Sequence, residues 1–251
     1  MTGPAQTRRS CLECPLLDCK GLRPLDDGQL KFMQDFKQGE FSIDKGTQSL
    51  VQGSISPHVY TLLEGVLFRY RILADGRRSI VNFVFPGDLI GLQGAMDDPL
   101  MHGCEALTSA TLCVFSRDRI VELFAEQPRL GFDLTWLAAK EESALEELLV
   151  SIGRRTAQER MVYLAIFLIE RGLATGLVKK NTLAISITQG QISDTLGLSL
   201  VHTNRTLQTL RKKGLVIWSL TEISIPDLDA ARAFAHYEGD GTNGSDTRPY
   251  I

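Results

Sequence analysis

The sequence has no run of about 18 consecutive apolar residues, the length needed to span a bilayer. Met1–Cys19 lacks the apolar stretch of a secretory leader, so the expected location is the cytoplasm. Histidine is scarce: four residues, at positions 58, 102, 202 and 236, with no H-x-H pair. A cupin-like metal enzyme, the alternative from another functional class, needs clustered histidines and carboxylates, so the pattern argues against an enzyme. Cysteine is also sparse, with five residues. In a reducing compartment these are expected to be free, metal-bound or redox-active rather than disulfide-bonded. A large excess of positive charge is missing too. The formal net charge is −3, which is no footprint of a nucleic-acid binder taken whole.

What is present is uneven. Between Ser151 and Trp218 there are ten Lys/Arg and three Asp/Glu, and the remainder of the 251-residue chain is acidic. A basic module on an acidic body suits a protein that touches phosphates with one part only. The bland alternative is a solvated basic face. Hydrophobic residues make up 43%, enough for a sizeable core in one or two domains.

The periodicity changes along the chain. Residues 1–20 are polar and carry Cys11, Cys14 and Cys19; a short amphipathic helix is expected over Asp26–Phe36. From Phe41 to Phe115 short β-rich runs alternate with turns such as Asp75-Gly76 and Pro86-Gly87-Asp88, which points to a sandwich or barrel. After Ser116 the period becomes helical. Leu130, Leu134, Leu137, Leu145, Leu148, Leu149 and Ile152 recur on one stripe, uninterrupted by Gly or Pro from Phe132 to Ile152. A long helix with a narrow apolar seam suits pairing with a second copy; the alternative is packing on its own barrel. Leu134, Leu137, Leu145, Leu148, Leu149 and Ile152 are the candidate dimer seam. Arg154-Arg155 marks a boundary, followed by a largely apolar helix over Ala157–Arg171, a loop, an alternating run through Leu183, Ile185 and Ile187, a hairpin at Leu215–Ile225 and a helix from near Pro226. The tail, 238–251, reads as disordered.

Thr188–Lys213 reads as a helix-turn-helix. Thr188 and Ser199 are placed as N-caps, Gly197 supplies the tight turn, and Gly214 ends the second helix. Ile192, Leu196, Leu198 and Leu207 are spaced to fill the contact between the helices. The second helix offers His202, Asn204, Arg205 and Gln208 on a polar face. Arg pairs with guanine O6/N7 and Asn with adenine N6/N7, so Asn204, Arg205 and Gln208 are base-reading candidates. Thr188, Ser199, His202, Arg211, Lys212 and Lys213 are candidates for phosphate contacts.

The order of barrel, long helix and winged helix-turn-helix resembles the Crp/Fnr superfamily of bacterial transcription regulators. The matching stretches are LLEGVLFRYRILADGRRSIVNFVFPGDLIGLQ, RRTAQERM and ITQGQISDTLGLSLVHTNRTLQTLRKKGLV. The resemblance implies an α+β fold: an antiparallel, jelly-roll-like β-roll over 21–127, a dimerisation helix over 128–153 and a winged helix-turn-helix domain over 154–237. It further implies a homodimer on a palindromic stretch of double-stranded DNA, half-sites roughly 34 Å apart, with RNA polymerase as a partner and no membrane. Base readers would match Leu200, Val201, Asn204 and Arg205. Val201 departs from the family's two well-known branches, which carry glutamate there, so the operator core is expected to differ.

Two family inputs compete. One branch holds a cyclic nucleotide with an Arg-Ser pair, but Ile90–Ala106 contains no arginine and carries Asp97 and Asp98, so no cyclic nucleotide is expected. The other branch senses oxygen with an iron–sulfur cluster. Cys11, Cys14 and Cys19 form C-x2-C-x4-C, a spacing slightly unlike the family's. The resemblance makes Cys113 the fourth ligand of a 4Fe-4S cluster and Cys104 a bystander. Zinc on the same four thiols and unligated thiols remain open alternatives.

Overall fold

The computed structural model describes residues 9–93, 98–237 and 248–251. Two short 3-10 turns, Cys11–Glu13 and Pro15–Asp18, lead to α1 (Asp27–Phe36). Asp26 caps α1 reciprocally with Gln29, which satisfies amides left open by the first turn. Eight strands follow: β1 (Lys37–Ile43), β2 (Gln48–Leu50), β3 (His58–Glu64), β4 (Leu67–Ile72), β5 (Arg78–Val84), β6 (Leu89–Ile90), β7 (Gly103–Ala106) and β8 (Ala110–Ser116). They form two antiparallel sheets, ordered β1-β8-β3-β6 and β2-β7-β4-β5. Inward residues from both, among them Leu50, Leu62, Leu67, Ile90, Cys104 and Leu112, fill the space between them. This is the expected β-roll.

α2 (Ile120–Glu126) turns the chain into α3 (Pro128–Arg154), 27 residues long. Pro128 starts α3 without loss, because a first-turn amide has no partner within the helix. The helix stops at Arg155, whose backbone is extended. Thr156 and Glu159 then form a capping box that opens α4 (Ala157–Ala174). Leu130, Leu134 and Leu137 are buried with Phe36, Val59 and Phe115, against the outer face of the first sheet. Two of the seam candidates, Leu134 and Leu137, are therefore core of their own chain. The stripe continues outward as Leu145, Leu149 and Ile152, which are exposed.

The second domain combines α4 with β9 (Val178–Lys179), β10 (Thr182–Leu183), α5 (Gln189–Leu196), α6 (Leu200–Lys212), β11 (Ile217–Trp218), β12 (Ile223–Ser224) and α7 (Leu228–Ala235). Its sheet is ordered β11-β12-β10-β9. Of the alternating run only Thr182–Leu183 is strand; Ile185 and Ile187 are buried beyond it. This core merges with the outer face of β4 and β5, where Phe68, Tyr70, Ile80, Phe83 and Phe85 are buried. Salt bridges flank the junction: Arg78 of β5 to Asp194 of α5 at 2.9 Å, and Arg171 of α4 to Asp88 at 2.6 Å.

The expected disordered tail ran over 238–251. Residues 238–247 lie outside the described residues, whereas 248–251 pack on the β-roll, with Tyr250 and Ile251 buried. Apolar side chains placed against an apolar surface gain enough from burial to be ordered, whatever the polarity of the stretch before them.

His102, at the entry to β7, is buried, and burial with Arg69 and Arg71 nearby pushes its pKa from 6.5 down to about 4. Between those values the unfolded chain takes up a proton that the folded chain refuses, so stability falls as pH drops from about 6.5 to about 4. Urea unfolding across that range checks this. His102→Gln is expected to shrink the loss, and an unchanged dependence would contradict it.

Candidate nucleic-acid interface and cysteine pocket

α5 and α6 are fixed by local chemistry. Thr188 accepts from the Gln191 backbone N–H at 3.1 Å, while the Gln191 side chain accepts from the Thr188 N–H at 2.8 Å. Gly197 ends α5 with φ +63°, a left-handed conformation that favours glycine. Ser199 caps α6 by accepting from the His202 N–H at 3.2 Å. The Ser193 hydroxyl donates to the Leu198 carbonyl and locks the turn. Ile192 and Leu196 are buried and Leu198 and Leu207 half-buried, as expected.

The inner face of α6 was not visible in the sequence as such: Thr203, Thr206 and Leu210 are its buried positions. Threonines read as polar, so only the fold shows them turned inward. The opposite face exposes Leu200, Val201, His202, Arg205, Gln208, Arg211 and Lys212. Arg205 has no ion pair or side-chain hydrogen bond among the described residues, so its five donors are uncommitted. Asn204 is half-buried and held at both ends, donating to Gln189 at 3.3 Å and accepting from Gln208 at 2.9 Å. Gln189, missed in the sequence, thus orients a base-reading candidate.

The phosphate candidates divide. Thr188, Ser199 and His202 gather at the starts of the two helices, where unpaired amides and the helix dipole favour an anion. Arg211 and Lys212 lie exposed at the other end of α6. Lys213 is engaged within the chain, donating to Gln158 at 2.7 Å and lying 5.0 Å from the Phe234 ring.

The four cysteine candidates do not all converge. Cys11, Cys14 and Cys113 line one small pocket with Leu16, Met33, Phe115, Tyr250 and Ile251. Burial pushes the Cys14 thiol up to about 11 and raises that of Cys113 further. Cys19 packs on the same core but outside the pocket lining, its Sγ 3.7 Å from the Thr175 carbonyl at the end of α4. Cys104 is buried between the sheets, apart from the pocket. The pocket is small, about 30 Å3, which is room for a water molecule or two. No three of the described His, Cys, Asp or Glu residues are placed to hold a metal ion. In this arrangement the four cysteines do not fit a 4Fe-4S cluster or a zinc ion.

Two family models match the chain: the cyclic nucleotide-binding domain over residues 28–127 and the Crp-like helix-turn-helix domain over 163–234. A nitrogen fixation regulation protein, FixK, of Rhizobium meliloti is 30% identical over 171 residues, covering 68% of this chain and 74% of that protein. The chain belongs to the Crp/Fnr family of transcription regulators. A probable transcriptional activator of Rhizobium leguminosarum is 28% identical over 221 residues, covering 88% of this chain and 90% of that one. The solved structure of FixK2 from Bradyrhizobium japonicum matches this Crp/Fnr chain with a TM-score of 0.66 and 25% identity, over 78% of this chain and 96% of that one. The β-roll, long helix and helix-turn-helix are thus the family's architecture, and α6 is in the place of its DNA-reading helix. No described helix is long and apolar enough to cross a membrane.

Thr188→Val is expected to lose roughly 1 kcal/mol of stability in urea unfolding, with Thr188→Ser close to the parent. Equal stability of all three would show that the cap does not hold α5.

Proposed function

We propose that the protein works as a homodimer on a palindromic DNA operator, with α6 of each copy in the major groove of one half-site. The observation that carries this is the exposed face of α6, with the uncommitted guanidinium of Arg205 at its centre. Leu200, Val201, Asn204, Arg205 and Gln208 are the base readers. Arg205 takes a guanine, and Val201 gives apolar contact, such as to a thymine methyl, where an acid would accept from cytosine. Thr188, Ser199, His202, Arg211 and Lys212 bind phosphates, and Lys213 joins them if it releases Gln158. Pairing uses the outer half of α3, where Leu145, Leu149 and Ile152 leave an apolar stripe exposed and Leu148 is half-buried beside it. The family's activators support activation through RNA polymerase as the output, in the cytoplasm.

The cysteine segment is the input element. Its supporting observation is its position, with Cys11 and Cys14 on the β-roll core and Cys19 against α4. An oxygen-sensing 4Fe-4S cluster is the candidate cofactor, and it requires a different arrangement of the thiols from the one described above. Iron and acid-labile sulfide measured in protein purified without oxygen test it; their absence would remove the cluster.

Selection of binding sites from random duplexes, followed by gel shift, tests the output. Arg205→Ala is expected to cost about 1–3 kcal/mol, or roughly fivefold to 150-fold, on the selected site, with weak salt-sensitive binding to other DNA retained. Equal losses on all sequences would remove Arg205 as a base reader. In sedimentation, Leu149→Asp is expected to shift dimer to monomer. A dimer that survives the substitution would place pairing elsewhere.

A further inference from the structure

The small pocket between the thiols has an unusual wall. It is closed on one side by Tyr250 and Ile251, which come from the far end of the sequence and have only 3% and 5% of their surface exposed. The segment reaches this place by specific ties. Arg23 donates its backbone N–H to the Arg248 carbonyl at 2.7 Å, and Arg248 donates its own to the Gly21 carbonyl at 2.9 Å. The Thr61 hydroxyl of β3 donates to the Ile251 carbonyl. The Arg248 guanidinium pairs with Asp88 at 3.2 Å and lies 5.8 Å from the Trp136 ring.

One polar group in the pocket wall is incompletely used. The Tyr250 hydroxyl lies beside the Leu25 backbone N–H, yet no acceptor for its own proton is within hydrogen-bond geometry among the described residues. A buried hydroxyl without an acceptor is unfavourable. The Tyr250 ring packs beside the thiols of the pocket.

We propose that Arg248–Ile251 is a built-in plug of the cysteine pocket, which covers the buried Cys113 and the inner sides of the partly exposed Cys11 and Cys14, and must withdraw before Cys113 can react together with them. This deepens the reading of the cysteine segment as the input element and rests on it. Tyr250 and Ile251 fill space beside three of the four thiols, while Cys19 is held at the Thr175 carbonyl. The plug also has a line to the DNA-binding domain. Asp88 holds Arg248 of the plug and Arg171 of α4 together, so withdrawal of Arg248 leaves Arg171 with a freed carboxylate. Beside it, Gly21 donates its N–H to the Ala174 carbonyl at 2.9 Å and packs so closely that any side chain there would overlap Ala174. The cysteine segment thus has one face on the plug and the other on the end of α4.

The test is thiol access in the reduced, metal-free protein, read with a chromogenic aromatic disulfide under native conditions. Deletion of residues 248–251 is expected to speed reaction at the pocket thiols about tenfold or more, with the gain at Cys113 lost in a Cys113→Ala background. Cys104 is the internal control, because it is buried between the two sheets, apart from the pocket. If Cys104 quickens equally, the deletion has loosened the whole β-roll. Tyr250→Ala, which keeps the backbone ties, then decides: faster Cys113 beside unchanged Cys104 supports the plug. Unchanged pocket thiols in both variants overturn it. Anaerobic incubation with ferrous iron and sulfide separates this result from the cofactor question. Exposed thiols that take up no iron leave the plug standing and remove the cluster.

Discussion

Asp88 accepts from the Phe85 backbone N–H, from Arg171 of α4 and from Arg248, and its side chain is 14% exposed. Three parts of the molecule meet on this one carboxylate: the β-roll, the DNA-binding domain and the segment that closes the cysteine pocket. With three donors on it, this half-buried carboxylate remains paired when any one of them is lost, while loss of Asp88 itself would leave both arginines unpaired there. Around it the junction is apolar. Phe83 and Phe85 join the same core as Ile166 and Ile169 of α4, and Arg171 lies 5.4 Å from the Phe85 ring. A polar clamp inside an apolar contact resists sliding, so the second domain has a defined seat on the first.

The seat fixes where α6 points. Arg155 breaks the long helix and then ties its surroundings together: it pairs with Glu147 of α3 at 3.6 Å, covers the Tyr163 ring of α4 at 4.4 Å and donates to the Ala235 carbonyl of α7 at 3.2 Å. Arg78 holds α5 to β5 through Asp194. The exposed end of α3 and the exposed face of α6 are therefore parts of one framework. Whatever pairs two copies through α3 also sets the separation of two reading helices.

Most of the output half was legible because its determinants are local. A capping threonine, a glycine turn and a second cap lie within twelve residues, and their hydrogen bonds close over three to five positions. The seam was legible as a stripe but not in what covers it. Leu134 and Leu149 repeat on the same face, and only the fold shows the first against the barrel and the second bare. The junction was invisible, since Arg171 and Arg248 meet Asp88 across 83 and 160 residues. The spacing suggested Cys11, Cys14 and Cys19 and the family resemblance added Cys113, while the fold lines one pocket with Cys11, Cys14 and Cys113 and holds Cys19 at Thr175. Tyr250 and Ile251 gave no sign of burial, because two apolar residues after a polar tail carry no periodicity.

Two-fold pairing of this framework, as proposed, has a direct consequence for DNA. Half-sites must lie on one face of the duplex, about 10–10.5 base pairs or a multiple apart, and a change of half a turn must break one of the two contacts. The decisive measurement is the affinity for a selected operator before and after insertion of about five base pairs at its centre, at constant salt. Affinity is expected to fall to that of a single half-site and to return when the insertion is extended to about ten base pairs with both half-sites again in phase. Equal affinity for all three spacings would contradict a fixed pair of reading helices.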